Sequence, residues 1–248
     1  MAMKLSVQIS TDKGVNDDVQ GLLLDILKEF ESLIPSGPFL GDKPLNVIKY
    51  PNNPITITTV LPTIYLIGLT RDGRIYNQLT YQFAHEMVHV YSDPRNNNWL
   101  VESFCEAVSF IMLEKIGHKW TANPGVVGLN WYAPNFEKYK AQTISNYLTE
   151  LNTTEESIKG FKLAEKIKEL TTPINRQINF VLAYRIFNYY KKTPDILRLI
   201  PYLHFTSSKE ELGDNEVFMM VHPDLERFEK RLPDDLRSIW IDFKKELN

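Results

Sequence analysis

The 248-residue sequence predicts an α+β fold, with a small sheet in its N-terminal part and a mostly helical C-terminal part. Short runs rich in β-branched residues occur between residues 44 and 70, where the apolar period is two. After Gly73 the strand signals become sparse, and apolar residues recur at three- and four-residue steps. We therefore expect an N-terminal α+β lobe over residues 1–117 and a helical lobe over residues 118–248.

Each element follows from its periodicity and from the turn residues beside it. Residues 15–34 have apolar side chains on one helical face, and Pro35-Ser36-Gly37 ends that helix. The Gly117-His118 step is expected to end another helix, as a C-terminal cap does. The predicted strands are 45–50, 55–60 and 63–69, and the remaining predicted helices are 76–92, 99–116, 134–148, 154–170, 174–191, 194–203, 223–231 and 233–247.

Composition and charge exclude several function classes. The formal charge of −3 and the pI near 6.0 leave no excess of positive charge, so no nucleic-acid partner is expected. Cys105 is the single cysteine, which excludes an intramolecular disulfide framework and predicts no cysteine-based zinc module. No apolar run is long enough to span a membrane, and the first residues do not resemble a signal peptide. A soluble, cytoplasmic protein with no membrane partner is therefore expected.

One pentad, His85-Glu86-Met87-Val88-His89, has the H-E-x-x-H pattern and lies inside a predicted helix. Residues four apart on a helix share a face, so His85 and His89 can bind one zinc ion together. Glu86, one step along, can reach a water molecule on that ion and act as a general base. Two surface histidines on an ordinary amphipathic helix are the alternative interpretation.

The next predicted helix has two carboxylates on an otherwise apolar surface. Glu102 and Glu106 lie four residues apart, and burying both is costly unless a cation or paired donors meet them. Hydrolytic zinc needs a third protein ligand and an open position, so Glu102 is predicted to be that ligand. Glu106 is predicted to accept the free N–H of a ligand histidine. A helix whose first turn is merely exposed is the alternative.

With these residues the sequence resembles the gluzincin metallopeptidases, the thermolysin-like and aminopeptidase-like clan. The matching residues are His85, Glu86 and His89, then Glu102 within Trp99-Leu100-Val101-Glu102-Ser103-Phe104. The resemblance implies hydrolysis of peptide bonds at a zinc ion held by the two histidines and the glutamate. Only 12 residues separate His89 from Glu102, fewer than in either branch. The G-x-M-E-N signature of the aminopeptidase branch is absent, so exopeptidase activity is not implied.

The resemblance also implies further parts of a cleft. Residues 64–69 of the predicted strand 63–69 stand where this clan has an edge strand that pairs with extended substrate, and an ordinary sheet strand is the alternative. A tyrosine or histidine of the C-terminal lobe is implied as the donor to the oxyanion, and Tyr184 and His204 are predicted for that role. Packing or capping is the alternative for each. Cys105 is predicted to be a small core residue that points elsewhere, and residues 96–98 to be a polar loop.

Together these observations predict a zinc-dependent peptidase that acts on a peptide or protein substrate. In this hypothesis His85, His89 and Glu102 hold Zn²⁺, and Glu86 takes a proton from the attacking water. A protein with the same fold that holds zinc or no metal and cuts nothing is the alternative from another class. Glu86 argues against it, because a protein that only holds zinc has no use for that carboxylate. A purely structural zinc site is disfavoured, since such sites have four protein ligands and cysteine usually supplies some.

Overall fold

A sheet in the N-terminal part and helices in most of the remaining chain make up the fold. The computed structural model describes residues 3–58, 63–71, 73–159, 163–168, 170, 172–207 and 219–245. Within these residues the arrangement of strands and helices confirms the predicted α+β class. None of the described helices combines the length and the apolarity that crossing a membrane requires.

Four short strands form the N-terminal sheet. They are β1 (Leu5–Gln8), β2 (Leu45–Lys49), β3 (Ile55–Ile57) and β4 (Tyr65–Leu69), in the order β1-β2-β4-β3. Strands β1, β2 and β4 run parallel, and β3 runs antiparallel to β4. Parallel neighbours need a crossover connection, and helix α1 (Lys13–Leu33) supplies it between β1 and β2.

Two sequence-based expectations about this sheet are wrong. Strand β1 is not among the predicted strands, because four residues are too few to establish a period of two. The strand predicted at 63–69 is not an edge strand, since β4 pairs with β2 and β3, and the strands at the edges of the described sheet are β1 and β3. Gly68 in β4 permits this packing, because a Cβ there would lie 2.6 Å from the Cβ of Tyr50. Residues 59 and 60 of the predicted strand 55–60 lie outside the described part of the chain.

Helix α3 (Trp99–Ala122) is central to the helical part. It packs against α2 (Tyr76–Ser92), α4 (Pro134–Glu150) and α7 (Arg176–Tyr190), and its side chains are buried on almost every side. The other helices are α5 (Glu155–Lys159), α6 (Leu163–Lys168), α8 (Leu225–Arg231) and α9 (Asp234–Lys245), with 3-10 segments at Asn130–Tyr132 and Pro194–Thr206. Strand β5 (Asn96–Asn97) pairs in parallel with β6 (Met219–Met220).

Helix α3 crosses the predicted boundary between the two lobes. The predicted helix end at Gly117 is wrong, because α3 continues to Ala122 and Asn123 follows it as the C-cap. Gly117 has a packing role instead, since a Cβ there would lie 3.3 Å from the Cβ of Phe136 on α4. Buried apolar side chains from both sides of this position belong to one hydrophobic cluster. The boundary between residues 117 and 118 therefore lies within a helix, and the division into two lobes stays a prediction.

Two other predicted helices differ in kind or continuity. The predicted helix 194–203 is a 3-10 segment with Pro201 inside it, and proline removes the backbone donor that an α-helix needs there. The predicted helix 154–170 corresponds to α5 and α6, and its residues 160–162 and 169 lie outside the described chain. The positions that matter for the site, on α2 and α3, agree with the predicted helices.

Candidate metal centre

Helix α2 presents the two histidines of the pentad on one face, as their spacing predicts. The ring centroids of His85 and His89 lie 5.5 Å apart. The side chain of His85 is 20% exposed and that of His89 is 7% exposed. Because α2 packs between the sheet and α3, this face is turned toward protein rather than toward solvent. The interpretation of two surface histidines is therefore wrong.

Helix α3 brings Glu102 to both histidines. Glu102 lies in the first turn of α3, which begins where the Asn98 side chain accepts hydrogen bonds from two backbone N–H groups. Its Oε2 lies 3.4 Å from Nε2 of His85, and its Oε1 lies 3.6 Å from Nε2 of His89. Two donors on one tetrahedral zinc ion with bonds of about 2.1 Å lie about 3.4 Å apart. The distance from Glu102 to each histidine is therefore of the size found between ligands of one zinc ion.

Burial and charge shift the pKa values of these groups in opposite directions. Burial raises the pKa of Glu102, but hydrogen bonding and the charge of His85 outweigh it and bring the value to about 2. Burial lowers the pKa of His85, but its contact with Glu102 outweighs that effect and brings the value to about 9. Burial lowers the pKa of His89 below its usual value. Both imidazoles face Glu102, but the pKa of His85 is raised and that of His89 is lowered.

In the metal-free protein, NMR of the histidine rings should show that His85 titrates near pH 9 and that His89 titrates below its usual range. A metal ion that binds His85 must displace its proton, so any metal binding here should weaken as the pH falls below that value. Glu102→Gln should lower the pKa of His85 by roughly a unit or more, because the opposite charge is lost. The exposed control variant Glu226→Gln should leave it unchanged. A His85 ring that titrates near its ordinary value in the parent would contradict the ion pair.

The carboxylate of Glu86 is held by the edge of the sheet. Thr56, in the middle of β3, donates a hydrogen bond from Oγ1 to Oε2 of Glu86 at 2.9 Å. The same hydroxyl lies 3.3 Å from the backbone carbonyl of Glu86. Glu86 is 3% exposed, yet it lines the cavities beside the histidines. A buried carboxylate fixed by a hydroxyl donor in this way is positioned to exchange a proton with a bound molecule.

Two cavities meet at His85, Glu86 and Glu102, which line both of them. The cavity volumes are about 540 and 510 Å³. The first extends toward α4 and α7, and the second extends along β3. The site is therefore a cleft whose floor carries the metal-binding residues and whose two arms can hold the parts of an extended ligand.

The structure does not place Glu106 as predicted. The described hydrogen bonds do not join Glu106 to either histidine, and its buried Oε1 lacks a hydrogen-bond partner. Burial raises the pKa of Glu106 above its usual value, although the charge of His85 and hydrogen bonds from Tyr81 and Tyr147 oppose that rise. The predicted contact fails because Glu106 lies one helical turn beyond Glu102, toward α4 and the first cavity.

Tyr184 and His204 are not among the residues that line the two cavities. The Tyr184 ring lies 6.2 Å from that of Phe180, and Nδ1 of His204 lies 2.7 Å from the carbonyl oxygen of Pro201. Their role as oxyanion donors stays a prediction without support from this geometry. The hydroxyl-bearing residues that do line the first cavity are Tyr81 and Tyr147.

Tyr81 and Tyr147 were absent from the sequence-based site, although one of them had a signal. Tyr81 precedes His85 by four residues on α2 and so lies on the same helical face. Tyr147 lies on α4, and only the packing of α4 against α2 and α3 brings it to the cavity. Local spacing could have found the first residue but not the second.

The expectation that Cys105 points elsewhere is wrong. Cys105 is a buried core residue as predicted, but its Sγ lies 3.5 Å from Nε2 of His89. The ligand atoms of His85, His89 and Cys105 all lie within 4.8 Å of one another. Cys105 follows Glu102 by three residues, a spacing that places two side chains on adjoining parts of a helical surface. The three-residue spacing of Glu102 and Cys105 could be read from the sequence. The sequence did not show that this part of the α3 surface faces His89.

The asparagine run at residues 96–98 is more than a polar loop. The Asn96 side chain donates to Oγ1 of Thr206 at 2.9 Å, and Asn98 caps α3. Asn97 is 4% exposed, lines the second cavity and hydrogen-bonds to Glu102, which lowers the pKa of that carboxyl. The run thus fixes the start of α3 and the orientation of Glu102.

The site unites two imidazoles, a carboxylate and a thiol at metal-ligand spacing, with a second carboxylate beside them in a cleft. Such a set can hold a divalent ion and exchange a proton with a molecule bound next to it. The chain matches no family model, and no curated protein or solved structure matches it significantly.

Proposed function

We propose that this protein is a zinc-dependent peptidase of the gluzincin type. The observation that supports it most is the Glu102 carboxylate, whose two oxygens lie 3.4 and 3.6 Å from His85 and His89. Glu86 lines the same cleft, and its carboxylate is held by Thr56. The resemblance of the pentad and of the downstream glutamate to that clan supports the same function.

The reaction uses three ligands and one proton carrier. His85, His89 and Glu102 would hold the zinc ion, which when bound supplies a Lewis acid that polarises a carbonyl and acidifies water. Glu86 takes the proton from the attacking water and passes it to the amine that leaves. The hydrogen bond from Thr56 keeps the Glu86 carboxylate turned into the cleft during both transfers.

An extended peptide is the ligand that we propose for the second cavity. Strand β3 pairs with β4 on one side, and its residues Ile55, Thr56 and Ile57 line that cavity. An extended peptide can add to a sheet edge through its backbone, with little dependence on its side chains. Thr56 also holds Glu86, so a peptide bound along β3 would pass beside the general base.

A metal-holding protein without hydrolytic activity is the second candidate. Cys105 favours it, because four protein ligands including a thiolate are typical of structural zinc sites. Glu86 opposes it, because a purely structural site makes no use of a buried carboxylate beside the ligands. The peptidase is favoured because the cleft leaves room for a ligand at the cluster.

The two candidates differ in one experiment. The protein is purified without added zinc, its metal content is measured by emission spectroscopy, and it is incubated with a mixed peptide library whose products are read by mass spectrometry. About one zinc per chain together with new peptide termini supports the peptidase. Zinc without cleavage supports the metal-holding protein, and a chain that binds no zinc even when it is supplied overturns both.

Chelation should lower the melting temperature by roughly 10 °C, because a ligand at about a thousand times its dissociation constant stabilises the native state by about 4 kcal/mol. Removal of the ion leaves Glu102 and the two histidines buried without it. Scanning calorimetry before and after chelation measures the shift, and restored zinc should reverse it, whereas magnesium should not. An unchanged melting curve in a sample proven to have lost its zinc would argue against a buried site.

A further inference from the structure

Cys105 lies at the metal site, and neither the predicted ligand set nor the proposed mechanism uses it. It is the only cysteine of the sequence, so it has no disulfide partner within the chain. The side chain is fully buried on α3, one turn after Glu102. Its Sγ lies 3.5 Å from Nε2 of His89, the nitrogen that also faces Glu102.

The separations at this site are those between ligands that share one tetrahedral ion. With Zn–S of about 2.3 Å and Zn–N of about 2.1 Å, sulfur and nitrogen lie about 3.6 Å apart. The measured distance from Sγ of Cys105 to Nε2 of His89 is 3.5 Å. The two contacts of Glu102, at 3.4 and 3.6 Å, match the edges expected between nitrogen and oxygen. The ligand atoms of His85, His89 and Cys105 lie within 4.8 Å of one another, and Glu102 faces both histidines beside them.

We propose that Sγ of Cys105 is a further ligand of the metal ion that His85, His89 and Glu102 hold. The Sγ–metal bond forms as the thiol proton leaves to solvent. A donor set with one thiolate favours a borderline-soft ion such as zinc over magnesium or calcium. The inference rests on the metal site of the proposed function, and its test measures metal coordination rather than peptidase activity.

A fourth protein ligand has a consequence for the cleft. Open catalytic zinc sites use three protein ligands and expand to five-coordination during reaction, whereas sites with four protein ligands are closed. Cys105 approaches from the buried side of α3, and Glu86 approaches from α2 beside the cavities. A molecule that enters from the cleft would therefore become a fifth ligand or displace the thiolate, and Cys105 would retain the ion between turnovers.

X-ray absorption of the zinc-loaded parent protein tests the inference directly. A sulfur shell at about 2.3 Å is the expected result. Replacing zinc by cobalt should add a thiolate-to-cobalt charge-transfer band in the near ultraviolet. One zinc per chain with only nitrogen and oxygen neighbours would overturn the Cys105 assignment and leave the proposed function intact. A parent protein that binds no metal would overturn both.

Two variants make the test specific. Cys105→Ser should lose the sulfur shell and the cobalt band, and its zinc dissociation constant should rise roughly tenfold or more. Ser103→Ala is the matched control on the same buried helix, because the Ser103 hydroxyl donates to the Trp99 carbonyl and not to the cluster. It should keep both signals. If Cys105→Ser does not fold, the spectra of the parent still decide. A sulfur shell that persists in folded Cys105→Ser would contradict the assignment.

Discussion

Glu86→Gln should lower kcat by roughly a hundredfold to ten-thousandfold while the protein keeps its zinc, because the amide cannot act as a general base. Gln keeps the volume of the side chain and an oxygen that can accept the hydrogen bond from Thr56, which is 2.9 Å long in the parent. No predicted ligand is removed. Zinc content by emission spectroscopy and the rate of cleavage of a peptide that the parent hydrolyses measure the two properties on one sample.

The control for Glu86→Gln is Glu226→Gln, which makes the same chemical change on an exposed surface. Glu226 forms an exposed ion pair with Lys230 within α8, and such pairs contribute little to stability. Its zinc content and kcat should equal those of the parent. A Glu86→Gln variant that binds zinc and cuts at the parental rate would remove Glu86 as the general base and the mechanism with it.

Glu102→Ala should weaken zinc binding by more than about a hundredfold, beyond the loss that removing an outer hydrogen-bond partner causes. Its carboxylate is the group that faces both histidines, at 3.4 and 3.6 Å. The variant should therefore lose its metal during dialysis. Competition with a zinc chelator of known affinity measures the change in the dissociation constant.

Glu106→Ala is the matched comparison on the next turn of α3. Glu106 contacts Tyr81 and Tyr147 rather than a histidine, so its removal should weaken zinc binding by no more than roughly tenfold. Loss of zinc from Glu106→Ala together with retention by Glu102→Ala would reverse the ligand assignment. Equal losses would show that the two carboxylates share the ion.

The predicted fold was largely confirmed where one periodicity runs through a long segment. Helices α1, α2 and α7 agree with their sequence patterns because an apolar face is a property of one helix, and α3 agrees except at its C-terminal end. Strand β1 was missed because only four residues define it, and the predicted helix 194–203 is a 3-10 segment because Pro201 lies inside it. Gly117 was wrongly predicted to end a helix, because its small size serves the close packing of α3 against α4 instead.

In the candidate site too, relations within one helix could be predicted and contacts between helices could not. The spacing of His85 and His89 in the sequence determined that they share a face, since the geometry of one helix relates residues four apart. The same spacing rule applied to Glu102 and Glu106, but it did not say which carboxylate would reach the histidines. The way in which α2 crosses α3 brings Glu102, and not Glu106, to the two histidines.

What the sequence determined by itself is the set of residues within single helices: the pentad on α2, the carboxylate pair on α3 and the α+β order of elements. Only the tertiary structure decided that β3 rather than β4 lies at a sheet edge, that Cys105 faces His89 and that Tyr147 lines the cleft. The physical reason is that hydrogen bonds within a helix fix the relation of neighbours in sequence. Contacts between elements depend on how whole faces pack, and that depends on side chains throughout the chain.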